Sequence, residues 1–65
     1  MKEYQFRYKP VGAKDSSVKY FMANDFPEAK GMFDYACKRR KLSLDKWNAL
    51  SWNKWASRWE KVNAK

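Results

Sequence analysis

A chain of 65 residues makes one small domain, and it needs a core dense in large side chains, because chains this short bury only about 60% of the surface they expose when unfolded. One cysteine and no histidine exclude an intramolecular disulfide and a His/Cys zinc site, so four Trp, four Tyr and four Phe, 18% of the residues, must supply the stability. The net charge is +8 and lopsided: residues 1–36 hold six cations against five anions, and residues 37–65 hold nine against two. A field of that sign attracts polyanions and steers them by diffusion.

In chain order, the start from Met1 to Arg7 carries charge with no apolar stretch behind it, so it does not read as a signal peptide. No run approaches the roughly 18 apolar residues of a membrane span. A reduced, cytoplasmic protein without a membrane partner is expected. Residues 3–9 alternate, with Tyr4, Phe6 and Tyr8 on one face of a strand and Gln5, Arg7 and Lys9 on the other. Pro10 marks an edge or an end, and Gly12 to Ser16 reads as a turn. Val18, Tyr20 and Met22 then alternate with Lys19, Phe21 and Ala23, which completes a β-hairpin.

Asp25-Phe26-Pro27-Glu28 predicts a helix start, with Asp25 as N-cap, Glu28 closing a capping box and Pro27 tolerated in the first turn. Ala29, Met32, Phe33, Ala36 and Cys37 recur at helical spacing. Gly31 weakens the helix and is expected to allow close packing of a strand. Lys38-Arg39-Arg40-Lys41 closes the helix, where positive charge complements the dipole.

In the last third, Ser43 can cap a second helix, with Leu44, Trp47 and Leu50 three apart and Trp52, Trp55, Ala56, Trp59 and Val62 also at helical spacing. A competing pattern has Trp55, Ser57 and Trp59 alternating on a returning strand that joins the hairpin. Helix is the preferred expectation. The predicted fold is therefore α+β, a single domain over residues 1–65: a β-hairpin, a capped helix and a Trp-rich C-terminal helical segment (ββαα, with ββαβ as the alternative).

Catalysis finds little support in these residues. There is no histidine for acid–base work at neutral pH. Cys37 lies on the apolar stripe of the helix, where a buried thiol acts as a small hydrophobe. Asp25 and Glu28 are explained by the cap, and no glycine-rich phosphate loop occurs. A non-enzymatic protein without cofactor or metal is expected.

Binding is the function the composition favours. Lys38, Arg39, Arg40 and Lys41 read either as a solvated helix end or as a phosphate clamp, and Lys46, Lys54, Arg58 and Lys61 continue the same sign. The four Trp, interleaved with Lys46, Lys54 and Arg58, read either as core or as a stacking surface. Trp52, Trp55 and Trp59 are assigned to the core, and Trp47, on a different side of the helical wheel, to the surface. If Tyr4, Phe6, Tyr8, Val18 and Tyr20 face the helices, then Gln5, Arg7, Lys9, Lys19 and Phe21 face outward.

The predicted contact set is thus Lys38, Arg39, Arg40, Lys41, Lys46, Trp47, Lys54 and Arg58, with Arg7, Lys19 and Phe21 on the hairpin. The partner expected first is nucleic acid, DNA or RNA. The alternative is an acidic protein surface, contacted by a phage- or mobile-element-type protein that modulates a host protein. Trp and Arg are enriched in protein–protein hot spots as well, so the patch alone does not discriminate the two.

Overall fold

The computed structural model describes residues 1–62. Its elements are β1 (Lys2–Pro10), β2 (Ser17–Ala23), α1 (Phe26–Arg39), β3 (Leu44–Asn53) and β4 (Arg58–Lys61). The strands form one antiparallel sheet in the order β2-β1-β3-β4, with α1 crossing one face between β2 and β3. The class is α+β, with topology ββαββ. No described helix is long and apolar enough to cross a membrane.

β1 is the organising strand because it has a partner on both sides. Phe6 sits opposite Lys19 on one side and Ala49 on the other. Its alternation is as predicted: Tyr4, Phe6 and Tyr8 are buried beneath the helix. Phe6 and Phe33 are the largest fully buried side chains, and their rings stack at 4.5 Å. Burying a residue of this size contributes roughly 1.5–3 kcal/mol. Phe21 meets Phe6 edge-on at 5.8 Å, and Phe26 stacks on it at 6.0 Å.

The helix begins and ends as its sequence specifies. Asp25 Oδ1 accepts a hydrogen bond from the Glu28 backbone N–H at 3.0 Å, and Pro27 occupies the first turn. The Glu28 carboxylate does not close the box; its Oε2 takes a 3.4 Å contact from Asn24 instead. Ala29, Phe33 and Cys37, four apart, are the buried stripe. Met32 is exposed instead of packed, and Gly31 has open space around its Cα, so the expected close strand approach at Gly31 is absent. At the far end the Leu42 amide bonds the Cys37 carbonyl at 2.9 Å and the Lys41 amide bonds the Lys38 carbonyl at 3.1 Å. This is a Schellman cap, with Lys41 at φ 54 in the left-handed position where glycine is more usual.

The predicted C-terminal helix does not form: Leu44–Asn53 and Arg58–Lys61 are strands. β3, not a strand through Trp55, joins the hairpin, and β4 pairs only with β3. The physical reason lies in β1. With β2 on one side only, β1 would end the sheet as an open edge; β3 completes its backbone pairing and lays Ala49 and Trp47 against Phe6 and Phe33, which together outweigh a weak local preference for helix. The helical spacing of Trp52, Trp55 and Trp59 arises because a four-residue turn, Lys54 to Ser57, carries Trp55 between two strands.

Candidate functional site

The face of the sheet opposite α1 is covered by no described element. Register assigns it Val18, Tyr20 and Met22 from β2, Glu3, Gln5, Arg7 and Lys9 from β1, Lys46, Asn48, Leu50 and Trp52 from β3, and Trp59 and Lys61 from β4. Arg7, Lys9, Lys46 and Lys61 stand there against the single acid Glu3. Aromatic rings and cations therefore share one open surface.

The rings form a row across the sheet. Trp52 and Trp59 are directly opposed and meet edge to face at 5.3 Å. Tyr20 reaches Trp59 at 5.9 Å. Their strands are separated by β1 and β3, about 14 Å at ordinary strand spacing, so the two side chains lean inward over Gln5 and Leu50. Tyr20 and Trp52 remain 57% and 38% exposed. Beneath them Gln5 is only 5% exposed; its Nε2 donates to the Tyr20 hydroxyl at 3.0 Å, and its buried Oε1 has no partner among the described residues.

The cations gather at the end of this face near Pro10. Arg7 lies opposite Asn48, and Lys9 lies opposite Lys46. These residues, with Ser16 and the flank of Trp47, line a depression of about 310 Å³. Like charges directly opposed across a sheet destabilise it. The Lys9–Lys46 pair is thus unfavourable in the free protein. No protein-family model matches the chain, and no curated protein or solved structure matches it. The interface rests on this chain's own chemistry.

A second cationic group lies on the other side of the sheet. Lys38 and Arg39 in the last helical turn, with Arg40 and Lys41 beyond it, are exposed. Arg39 and Arg40 line a shallow depression with Lys19, Tyr35 and Ala36, and the Arg39 guanidinium lies 6.0 Å from the Tyr35 ring. Cys37, buried beneath this end, has its thiol pushed above the usual range by burial first and then by Asp34. A thiol so protonated is a poor nucleophile.

The β3–β4 turn is tied down by side chains. Asn53 Oδ1 accepts from the backbone N–H groups of Trp55 and Ala56 at 3.0 and 3.1 Å, while its Nδ2 donates to Glu60 Oε1 at 3.0 Å. Arg58 reaches Glu60 Oε2 at 3.2 Å. The Asn53 and Arg58 hydrogen bonds hold the Glu60 carboxyl below its ordinary value. The turn presents Trp55, 90% exposed, with Lys54 Nζ 5.7 Å from its ring.

Of the residues predicted from sequence, the structure brings Arg7 and Lys46 together on the open face. Lys38, Arg39, Arg40 and Lys41 form the separate helix-end group, joined by Lys19, which faces the helix side and not outward. Phe21 is a correction: it packs on Phe6. Trp47 is exposed as expected, at 38%, but on the helix side of the sheet: its ring lies 6.0 and 5.9 Å from Phe6 and Phe33, under Lys30 Nζ at 4.8 Å. It also borders the depression beside Lys46. Lys54 belongs to the turn tip, and Arg58 is engaged by Glu60.

Trp52, Trp55 and Trp59, assigned to the core from sequence, lie outside it. Sequence reasoning missed Tyr20 as a surface ring because it placed β2 one residue out of phase, and Trp52 and Trp59 because it put them on a helix as core. Such a slip exchanges every side chain between faces. The available signal was Ala23. It is the last residue before the helix-capping turn, and only a small side chain fits beneath the helix entry, where it is fully buried.

Proposed function

We propose that this protein is a non-enzymatic binding module for single-stranded nucleic acid and that the open sheet face is its contact surface. The observation that carries this reading is the co-location on one uncovered face of exposed rings, Tyr20 and Trp52, with the opposed cations Lys9 and Lys46 and their neighbour Arg7. Bases stacked on exposed aromatics are worth about 1–3 kcal/mol each, and cations beside them hold the backbone. A single strand has unstacked bases that can reach such rings, whereas a duplex keeps its bases inside. The span from Tyr4 to Lys9 along β1 is about 17 Å, which suits a short site. The helix-end cations Lys38 to Lys41 have no comparable row of rings and serve as a secondary electrostatic surface.

Fluorescence anisotropy with labelled single-stranded DNA, single-stranded RNA and duplex DNA, each at two salt concentrations, tests the proposal. The expected result is saturable binding of single strands, weaker binding of duplex, and affinity that falls with salt by a slope near the number of phosphates neutralised. Equal binding of duplex and single strand, or none at low salt, rules it out. The second reading, a protein partner with an acidic surface, is favoured by the apolar side chains Val18 and Met22 exposed on the same face. A stoichiometric protein captured from nuclease-treated lysate, together with absent oligonucleotide binding, is the outcome that establishes it.

A further inference from the structure

The sheet forks at the end away from the Lys9–Lys46 pair. The β1–β3 ladder stops at Tyr4 opposite Ser51. β1 stays paired with β2 as far as Lys2 and Ala23, and β3 stays paired with β4 as far as Asn53 and Arg58. The two hairpins therefore part, and a cleft of about 430 Å³ opens between them. Its apolar walls are Met1, Met22, Trp52 and Trp55. Its charged side chains are Lys2 and Lys54 against Glu3 and Glu60, two of each sign.

These properties differ from those of the cationic end in a way that distinguishes two parts of one ligand. A phosphate gains less from a cleft walled by Trp and Met, with two carboxylates in its lining, than from the cationic end, whose lining holds none. A nucleobase does, because it is flat, mostly apolar on its faces and polar only at its edge. The volume is within the range of small-molecule sites. Trp52 belongs both to the ring row and to the cleft, so the two are continuous. The backbone around Trp55 is fixed by the hydrogen bonds that the Trp55 and Ala56 amides donate to Asn53 Oδ1, which spares the backbone-ordering cost a loose loop would incur on binding.

The edge of the base meets Glu3. Glu60 is already engaged by Asn53 and Arg58. Glu3 is half-buried, lies opposite Met22, and accepts no hydrogen bond from the described residues. A free carboxylate in a cleft accepts from an exocyclic amino group and repels a carbonyl oxygen. We infer that the fork of the sheet holds one unpaired nucleobase against Trp52 and Trp55, and that Glu3 selects a base with an exocyclic amino group over thymine or uracil. This inference rests on the single-strand reading above.

Short oligodeoxycytidine and oligodeoxyuridine (oligothymidine without its methyl) test the point: uracil's N3–H can donate to a carboxylate, but it lies between two carbonyls that repel one, whereas the cytosine amino group has no carbonyl next to it on its Hoogsteen side. The expected result is several-fold tighter binding of oligodeoxycytidine by the wild-type protein. Glu3→Gln should level that preference, since an amide donates as well as accepts. Trp55→Ala should weaken both oligonucleotides about tenfold, and the exposed position of Trp55 means the thermal midpoint should not move. Equal wild-type affinities, or a preference unchanged in Glu3→Gln, overturns the assignment of Glu3. Affinity unchanged in Trp55→Ala overturns the cleft while leaving the open-face reading intact. Self-association abolished by Trp55→Ala, with oligonucleotide affinity unchanged, would give the cleft to a second copy of the chain and overturn the proposal likewise. Failure of the wild type to bind either oligonucleotide removes the single-strand reading and this inference together.

Discussion

The two faces of this sheet use the same kinds of residue for opposite ends. On the helix side Tyr4, Phe6, Tyr8 and Phe33 are buried, and Phe6 contacts four other rings. On the open side Tyr20, Trp59 and Trp52 form a row that covers Gln5 and is itself half covered. The first arrangement is a finished core. The second leaves a buried carbonyl oxygen without a partner among the described residues and two lysines facing each other. The contrast separates aromatics that hold the fold from aromatics left on an open face, a distinction composition cannot make.

The largest effect that can break the comparison is on stability. Phe33→Ala should cost about 3–5 kcal/mol, as large core truncations do, much of what a domain this small possesses. Trp52→Ala, though it removes a larger side chain, should cost about 1–2 kcal/mol because the ring is only partly withdrawn from water. Urea denaturation of the two variants measures both, and equal losses would erase the difference between the faces. Next comes Gln5→Met. It removes an unsatisfied buried oxygen and leaves the exposed Tyr20 hydroxyl to water, so the variant should be as stable as the wild type or up to about 1 kcal/mol more so. A clear loss in thermal melts would show that Gln5 supports the open face.

Lys9→Ala sharpens the contrast further. It relieves the like-charge opposition to Lys46, and should raise stability by a few tenths of a kcal/mol at low salt while weakening oligonucleotide binding. A residue whose removal helps the fold and harms binding belongs to the binding surface. A fall in stability with binding unaffected would place Lys9 in the scaffold. The smallest effect is on acidification. The Glu60 carboxyl is held below its ordinary value, so its stabilising contribution is present above the ordinary carboxylate range and lost as pH falls through the lowered value. At a pH below the ordinary carboxylate range the amides of Arg58 and Trp59 should exchange faster than those of α1, by hydrogen exchange read with NMR. Simultaneous loosening of both would mean the Glu60 network does not govern the turn.

Much of the first half was legible in the sequence because each signal there is local and unopposed. The alternation of Tyr4, Phe6 and Tyr8, the Asp25 cap and the basic helix end are all present in the structure. The second half was misread because its determinant is remote. Apart from Val62, residues 44–62 contain no β-branched side chain, and Leu, Ala, Lys and Trp at spacings of three and four favour helix locally. What makes them strands is the unpaired side of β1, which no window of sequence displays. The contact residues followed the same division. Arg7 and Lys46 were recognisable as exposed cations, but that they share a face with Tyr20 and Trp52 depends on the register of three strands.

The central claim, that the open sheet face is where this protein meets its ligand, is tested most directly by two-dimensional ¹H–¹⁵N NMR during titration with a short single-stranded oligonucleotide. The account predicts shifts concentrated at Arg7, Lys9, Tyr20, Lys46 and Asn48 and at the indole N–H groups of Trp52 and Trp59, with α1 unmoved. Shifts centred on Lys38 to Lys41 and Lys19 would contradict it.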